Sequence, residues 1–276
     1  MSKNNSLVAV SMITFNHEQF IANAIESVLM QETNFPFKLF ITDDHSIDST
    51  ASICLDYAKR YPEKIFFEKL EHNKGSMGNW LYNLNLCVKS DSEFIAICEG
   101  DDFWTDSSKL QKQVNFLKNK KDFSLVCHKA IHINVLTNEK SYNPKQIKGN
   151  IKLSSIILKG GGLITTNSIM FRSKNFKHPP AWLINSPVGD LPLVLLNAHI
   201  GKVFLIDKIM SAYNYLTPSS WSQAMNNKVL EKKKSKEMSE MWKEFNKWSD
   251  YNYFFFISVK LVIDKLYYLK KRFFVK

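Results

Sequence analysis

The chain has 276 residues and a mass of 32.0 kDa, with 45% apolar and 13% aromatic residues. That is enough for one large α/β domain or two lobes sharing a sheet, and it excludes a disordered or fibrous chain. The formal charge of +11 is uneven, since residues 223–276 hold thirteen Lys and Arg against six Asp and Glu, a net of +7 that leaves +4 for all the rest; a basic excess gathered in one tail suits a surface contact rather than a catalytic cleft.

In chain order, Leu7 to Ile13 is a short, apolar, partly β-branched run that stops at Thr14-Phe15-Asn16-His17 and reads as a buried first strand. Asn16 followed by Gln19 resembles a capping box, and Phe20, Ala24, Ile25, Val28 and Leu29 then recur at helical spacing. Lys38 to Thr42 gives a second strand ending at Asp43-Asp44-His45-Ser46-Ile47-Asp48, with Asp48 placed to cap a helix through Ile53, Leu55, Tyr57 and Ala58. Lys64 to Leu70 is a third strand, Asn73 to Gly78 a glycine-bearing loop, Trp80 to Val88 a helix and Glu93 to Cys98 a fourth strand.

Strands alternating with helices imply right-handed crossovers and a mostly parallel sheet, whose ligand crevice lies beyond the carboxyl ends of the strands. The polar clusters Thr14-Phe15-Asn16, Asp43-Asp44, Asn73-Lys74-Gly75 and Glu99-Gly100-Asp101-Asp102 each follow a strand directly, so the fold should gather them at one rim. Beyond Asp102, a helix capped by Asp106 runs through Leu110, Val114 and Leu117, and Phe123 to Cys127 is a strand. Residues 134–150 are polar and turn-rich, Gly160-Gly161-Gly162 is a hinge candidate, Ile164 to Arg172 a strand, and residues 189–200 a helix. From about residue 223 a Lys/Glu-rich helix leads into Tyr251 to Val275, where aromatics interleave with Lys and Arg.

The four cysteines, Cys54, Cys87, Cys98 and Cys127, have no paired metal-ligand spacing and lie in apolar stretches, the pattern of buried thiols in a reducing compartment. The start MSKNNSLVAV offers few apolar residues before polar ones and does not read as a secretory signal, so a cytoplasmic location is expected.

Three carboxylates in Glu99-Gly100-Asp101-Asp102, set between a strand and Phe103-Trp104, are costly to hold together unless something positive sits among them. Hard oxygen ligands in a short turn suit Mg2+ or Mn2+, although a solvated turn capping the next helix would show the same string. One of Asp43 and Asp44 can serve an Asx-turn while the other faces the crevice, where it could accept a hydrogen bond from a nucleobase. Phe15 is either a stacking surface for that base or a core residue. Asp190, in a Gly-Asp pair before a helix, has the form of an ordinary N-cap.

The order TFN, DDHSIDST, NKGSMGN and EGDDFW resembles the family 2 glycosyltransferases of the GT-A type, closely over residues 7–118 and more loosely to about residue 222 through ITTNSIMFR, GDLPL and Trp221-Ser222. The resemblance implies a Rossmann-like, mostly parallel α/β sheet flanked by helices, with residues 1–130 holding the nucleotide-sugar, residues 131–222 the acceptor, and residues 223–276 a helical tail. It implies an inverting transfer from a nucleotide-diphosphate sugar to an acceptor hydroxyl, with Thr14, Phe15, Asn16, Asp44, Gly75, Asn79 and Asp101 on the nucleotide-sugar, Asp102 on Mn2+ or Mg2+, Asp190 as catalytic base and Trp221 on the acceptor side.

Two departures from that pattern stand out. Ser76-Met77-Gly78 replaces an Arg after the glycine loop, and Asn214-Tyr215-Leu216 replaces a His shortly before Trp221, so diphosphate contacts fall to Lys74 or the tail. These losses keep a non-catalytic nucleotide-sugar or saccharide-binding module open as the alternative. A nucleic-acid partner is not expected, because the positive charge lies outside an acidic cleft. The tail lacks the roughly twenty apolar residues of a span, and its aromatic and basic character suits either packing on the domain or peripheral contact with the inner face of the plasma membrane. An acceptor in surface polysaccharide or lipid-linked oligosaccharide assembly accords with the latter.

Overall fold

The computed structural model describes residues 6–142, 148–218, 223, 225 and 227–274, with the side chains of 268–274 excepted. The N-terminal half is built from strand-helix units. β1 (Val8–Thr14), β2 (Phe37–Asp43), β3 (Ile65–Lys69) and β4 (Phe94–Ile97) run parallel, connected by α1 (Ile21–Leu29), α2 (Thr50–Arg60) and α3 (Gly75–Lys89). Their sequences are near-continuous apolar runs because both faces of the sheet are covered.

The second half adds β5 (Phe103–Trp104), α4 (Lys109–Asn119), β6 (Phe123–Asn134), β7 (Lys140–Tyr142), β8 (Gly149–Ile151), α5 (Leu153–Lys159), β9 (Met170–Arg172), α6 (Ala181–Ile184), α7 (Asp190–Ile200) and β10 (Lys202–Tyr215). All ten strands share one sheet in the order β3-β2-β1-β4-β9-β6-β10-β5, with β7 on β6 and β8 on β10. β9 lies antiparallel to both β4 and β6 and joins the two halves. One buried apolar cluster lies on each side of this sheet, which makes the two halves one α/β body. The four cysteines are free and buried.

Several sequence expectations need correction. Asn16 does not cap α1, which begins only at Ile21; its Oδ1 instead accepts from Ile47 N at 3.1 Å, tying two loops together. The strand expected over 164–172 is reduced to Met170–Arg172, because Thr166–Ser168 forms a 3-10 turn. β6 continues to Asn134, well past Cys127. The 14-residue β10 is absent from the sequence reading, its pattern broken by Asp207-Lys208 where the register against β6 shifts. Gly160 terminates α5 with φ +64, the left-handed stop that glycine makes without strain.

The tail is helical, as expected. α8 (Lys228–Trp248) packs Met241, Trp242 and Phe245 into the core cluster, and α9 (Phe254–Phe274) follows after a tight turn. Phe245 stacks on Tyr253 with ring centroids 5.9 Å apart, fixing that turn.

Candidate functional site

The parallel strands end at one edge, and backbone hydrogen bonds bring their loops together there. Asp44 N donates to Thr14 O and Gly100 N to Ile13 O, both at 2.9 Å. Gly100 has to be glycine, since a Cβ would come within 2.8 Å of the Thr14 side chain. Only without that atom can the acidic turn lie against the loop after β1. Asn16, at φ 54, donates its N–H to Ser46 Oγ at 2.8 Å and so ties the β1 loop to the β2 loop.

The two neighbouring aspartates have separate tasks. Asp43 is fully buried and accepts from both Ser46 N, at 2.9 Å, and Ser46 Oγ, so it is the turn-forming member. Asp44 accepts from Lys74 N at 2.7 Å, and Asn73 Nδ2 donates to its carbonyl at 3.1 Å. Burial raises the Asp44 carboxyl above its usual value even though the Lys74 amide opposes that shift. Phe15 is half-buried and belongs to neither core cluster. Gly75 opens α3 at φ +74 with free space where a Cβ would stand.

Asn79 is placed otherwise than the donor contact implied. It is 2% exposed, accepts from Thr42 Oγ1 at 2.6 Å and donates to Thr42 O at 3.1 Å. One turn on, Asn83 accepts from Ser11 Oγ at 2.6 Å and donates to Met12 O and Phe40 O. The two amides form a buried polar seam that fixes α3 on β1 and β2.

The acidic turn is the centre of the site. Asp102 is 1% exposed; its Oδ1 accepts from Asn214 N at 2.9 Å, while its Oδ2 is buried with no hydrogen-bond partner. Asp101 accepts from Thr217 Oγ1 at 2.7 Å, its carbonyl accepts from Asn214 Nδ2 at 2.6 Å, and His17 Nε2 stands 3.9 Å from its carboxylate. Burial, then the charges of Asp101 and Glu99, drives the Asp102 carboxyl well above its ordinary range. Glu99 is pushed up to about 8 by burial, then by Asp101 and Asp190.

Asp190 lies in the first turn of α7, half-buried, with Thr166 Oγ1 donating to its Oδ2 at 3.4 Å. Burial raises its carboxyl as well. The preceding Gly189 is required because a Cβ would come within 2.6 Å of the Trp80 ring of α3, so α7 seats directly on α3. Asp190 is near enough to the acidic turn for its charge to help raise the Glu99 carboxyl.

Four residues here escaped the sequence reading. Asn214 and Thr217 hold Asp101 and Asp102; they stand where the expected histidine is missing and supply hydrogen bonds in place of an imidazole. Tyr213 lies in the combined field of Asp102, Glu99, Asp101 and Asp190, which together with burial raises its phenol. His17 was visible only as the end of a loop. The strand β10 that delivers Tyr213 and Asn214 was itself unseen. Trp221 lies outside the described residues.

Among the described residues no group of three or more His, Cys, Asp or Glu is arranged as a metal cage. The residues nonetheless fit a divalent ion that takes few protein ligands and completes its shell with water and phosphate oxygens, since Asp102 Oδ2 is an orphaned buried carboxylate oxygen in a crowd of acids.

A mixed sheet with this strand order, an acidic turn after β4 and a carboxylate near it at the head of a helix defines the GT-A class of glycosyltransferases. The family model of glycosyl transferase family 2 matches residues 9–178, and the chain belongs to that family. Among curated proteins it is 28% identical over 218 residues to the uncharacterized protein Rv1520 of Mycobacterium tuberculosis, covering 79% of this chain and 61% of that one. It is also 28% identical over 153 residues to the minor teichoic acid biosynthesis protein GgaA of Bacillus subtilis, covering 54% of this chain and 31% of GgaA. The chain thus spans about three fifths of the mycobacterial relative's length.

Two solved structures share the fold at low identity. S. aureus TarS 1-349 in complex with UDP-GlcNAc has a TM-score of 0.58 at 16% identity, covering 95% of this chain and 80% of TarS 1-349. The mannosyltransferase PcManGT from Pyrobaculum calidifontis, in complex with GDP-Man and Mn2+, has a TM-score of 0.60 at 10% identity, covering 99% of this chain and 76% of that one.

Proposed function

We propose that this glycosyltransferase moves a sugar from a nucleotide-diphosphate donor to an acceptor hydroxyl with inversion, assisted by a divalent metal, with Asp190 as base. The observation that carries this reading is the acidic turn after β4, where Asp102 Oδ2 is buried without a hydrogen-bond partner and Glu99 feels the charges of both Asp101 and Asp190; Asp44 lies on the same sheet edge, its N–H donating to Thr14 O.

In this reading the base of the donor lies between Phe15 and Asp44, with Thr14, Asn16, Gly75 and Asp101 shaping the rest of the nucleotide site. Asp102 holds the metal, with Asp101 beside it. When bound, the ion offsets the negative charge that grows on the leaving diphosphate. Asn214 and Thr217 fix the two aspartates so that little reorganisation is needed as charge develops. Asn79 is read as supporting the crevice through α3.

The acceptor oxygen attacks the anomeric carbon as the bond from that carbon to the β-phosphate oxygen breaks. The acceptor's proton passes to Asp190, and the nucleoside diphosphate leaves with the bonding electron pair. Burial strengthens Asp190 as a base by raising its carboxyl. One displacement inverts the anomeric centre. The acceptor we favour is a growing surface polysaccharide or lipid-linked saccharide, in accord with the name of the relative GgaA.

The test is a thermal-shift screen of UDP-, GDP-, dTDP- and CMP-sugars with and without Mn2+, followed by the anomeric coupling constant of the product by NMR. Stabilisation by one nucleotide class only with metal present, and a product of opposite anomeric configuration, are expected. Retention of configuration would remove the single-displacement reading, and binding without any transfer would favour a binding module.

A further inference from the structure

α9 is fastened to the domain along one side only. Ile257 is 1% exposed, and Lys260, paired with Asp264 at 2.6 Å, crosses above Gly160, where a Cβ would lie 2.8 Å from its Nζ. On the opposite side Phe255 (70% exposed), Val262 (57%) and Leu266 (60%) fall at spacings of seven and four, one stripe of the helix. Phe254, Ile263 and Tyr267 widen this stripe and are exposed as well. A helix that buries one side and presents large apolar groups on the other is missing a partner.

The charge of the sequence from Lys265 onward indicates what that partner is. From Lys265 to the end the sequence holds Lys265, Lys270, Lys271, Arg272 and Lys276 and no Asp or Glu. No helix among the described residues is long and apolar enough to cross a membrane, and α9 itself carries Lys260, Asp264 and Lys265. A second copy packed in parallel would set the same cations beside these ones, whereas an anionic lipid surface neutralises them and takes the apolar stripe into its headgroup boundary.

We infer that the outer face of α9 is a docking surface for an anionic lipid bilayer, with the helix lying in the plane of the membrane. This inference stands independently of the donor and base assignments above. It places Asp190 close to the lipid, because Gly160, which α9 touches, belongs to the segment that lines a small cavity together with Asp190.

The experiment is co-sedimentation of the full chain with phosphatidylcholine vesicles and with vesicles that also contain phosphatidylglycerol, for the wild type and for Phe255→Glu/Leu266→Glu. The wild type should partition at least about tenfold more onto the anionic vesicles, losing that preference at high salt. The double variant should lose about tenfold or more for its two apolar anchors while keeping the melting temperature and nucleotide-induced thermal shift of the wild type. Equal partition onto both vesicle types, no partition onto either, or unchanged partition of a folded double variant would each overturn the inference. So would a wild-type dimer by light scattering that the double variant converts to monomer, because the stripe would then belong to a second copy.

Discussion

The acidic rim and the outer face of α9 violate the usual distribution of polar and apolar groups in opposite directions. At the rim, Asp102 is buried with one carboxylate oxygen unpartnered and Glu99 is held up to about 8. On α9, Phe255 and Leu266 face solvent. Both arrangements cost stability in the isolated chain, by desolvating charge in one case and hydrating apolar surface in the other. The difference teaches what kind of partner would relieve each place: a cation for the carboxylates crowded at the rim, and a surface both apolar and anionic for the stripe.

The sharpest way to break this comparison is at Asp102. Asp102→Ala should lower the transfer rate by about 10³-fold, the loss expected for a preorganised electrostatic group. It should change the metal-free melting temperature little, since losing the hydrogen bond from Asn214 N is offset by removing a buried carboxylate oxygen that has no partner. A strongly lowered melting temperature would make Asp102 a structural acid rather than one awaiting a cation. Asp190→Asn should lower kcat by about 10²–10³-fold, within the span of general-base effects, while the donor Kd from calorimetry stays at the wild-type value. A weakened donor Kd would move Asp190 to the nucleotide side.

Asp44→Ala should weaken donor binding by about 10- to 100-fold, the range for losing a hydrogen bond to a charged group, with kcat at saturating donor nearly preserved. The smallest effect concerns Lys109, which is buried and has no hydrogen-bond partner for its Nζ, yet sits over the Trp104 ring at 3.7 Å, away from any proposed ligand. Burial lowers its ammonium to about 7. Between that value and the ordinary lysine range the unfolded chain binds a proton that the folded chain does not, so stability should rise with pH from about 7 toward 10 and be flat in this respect below 7. Lys109→Met should flatten that rise in melting temperature across the same window. If it does, a buried unpartnered charge alone does not mark a ligand site, and the rim is distinguished by its cluster of like charges.

Much of the N-terminal half was legible because it is local. The runs Leu7 to Ile13 and Lys38 to Thr42 are apolar and short, and each is followed at once by its polar loop, so the rim clusters Thr14-Phe15-Asn16, Asp43-Asp44 and Glu99-Gly100-Asp101-Asp102 could be named from position alone. Asn16 shows the limit of that reasoning, since its spacing to Gln19 fits a cap but its side chain serves the β2 loop thirty-one residues away. Asn79 shows another, because an amide at a loop-helix junction has no sequence signal that separates a ligand contact from a buried seam with Thr42.

The acceptor half was less legible. β10 breaks its alternation at Asp207-Lys208, where the register shifts against β6, so the strand carrying Tyr213 and Asn214 left no clean period of two. The roles of those residues depend on where β10 lies beside the acidic turn, a contact spanning more than a hundred residues of chain.

By itself the sequence determined the α/β class, the parallel N-terminal strands and the residue types at their rim, because strand and helix periodicity and loop chemistry act over neighbouring residues. Only the tertiary structure decided that Asp43 turns the chain while Asp44 lies beside the Lys74 loop, that Asn214 and Thr217 hold the acidic pair, and that α9 buries one side and bares the other. Those outcomes follow from burial and from hydrogen bonds between distant segments, and burial is a property of the packed chain rather than of any stretch of it.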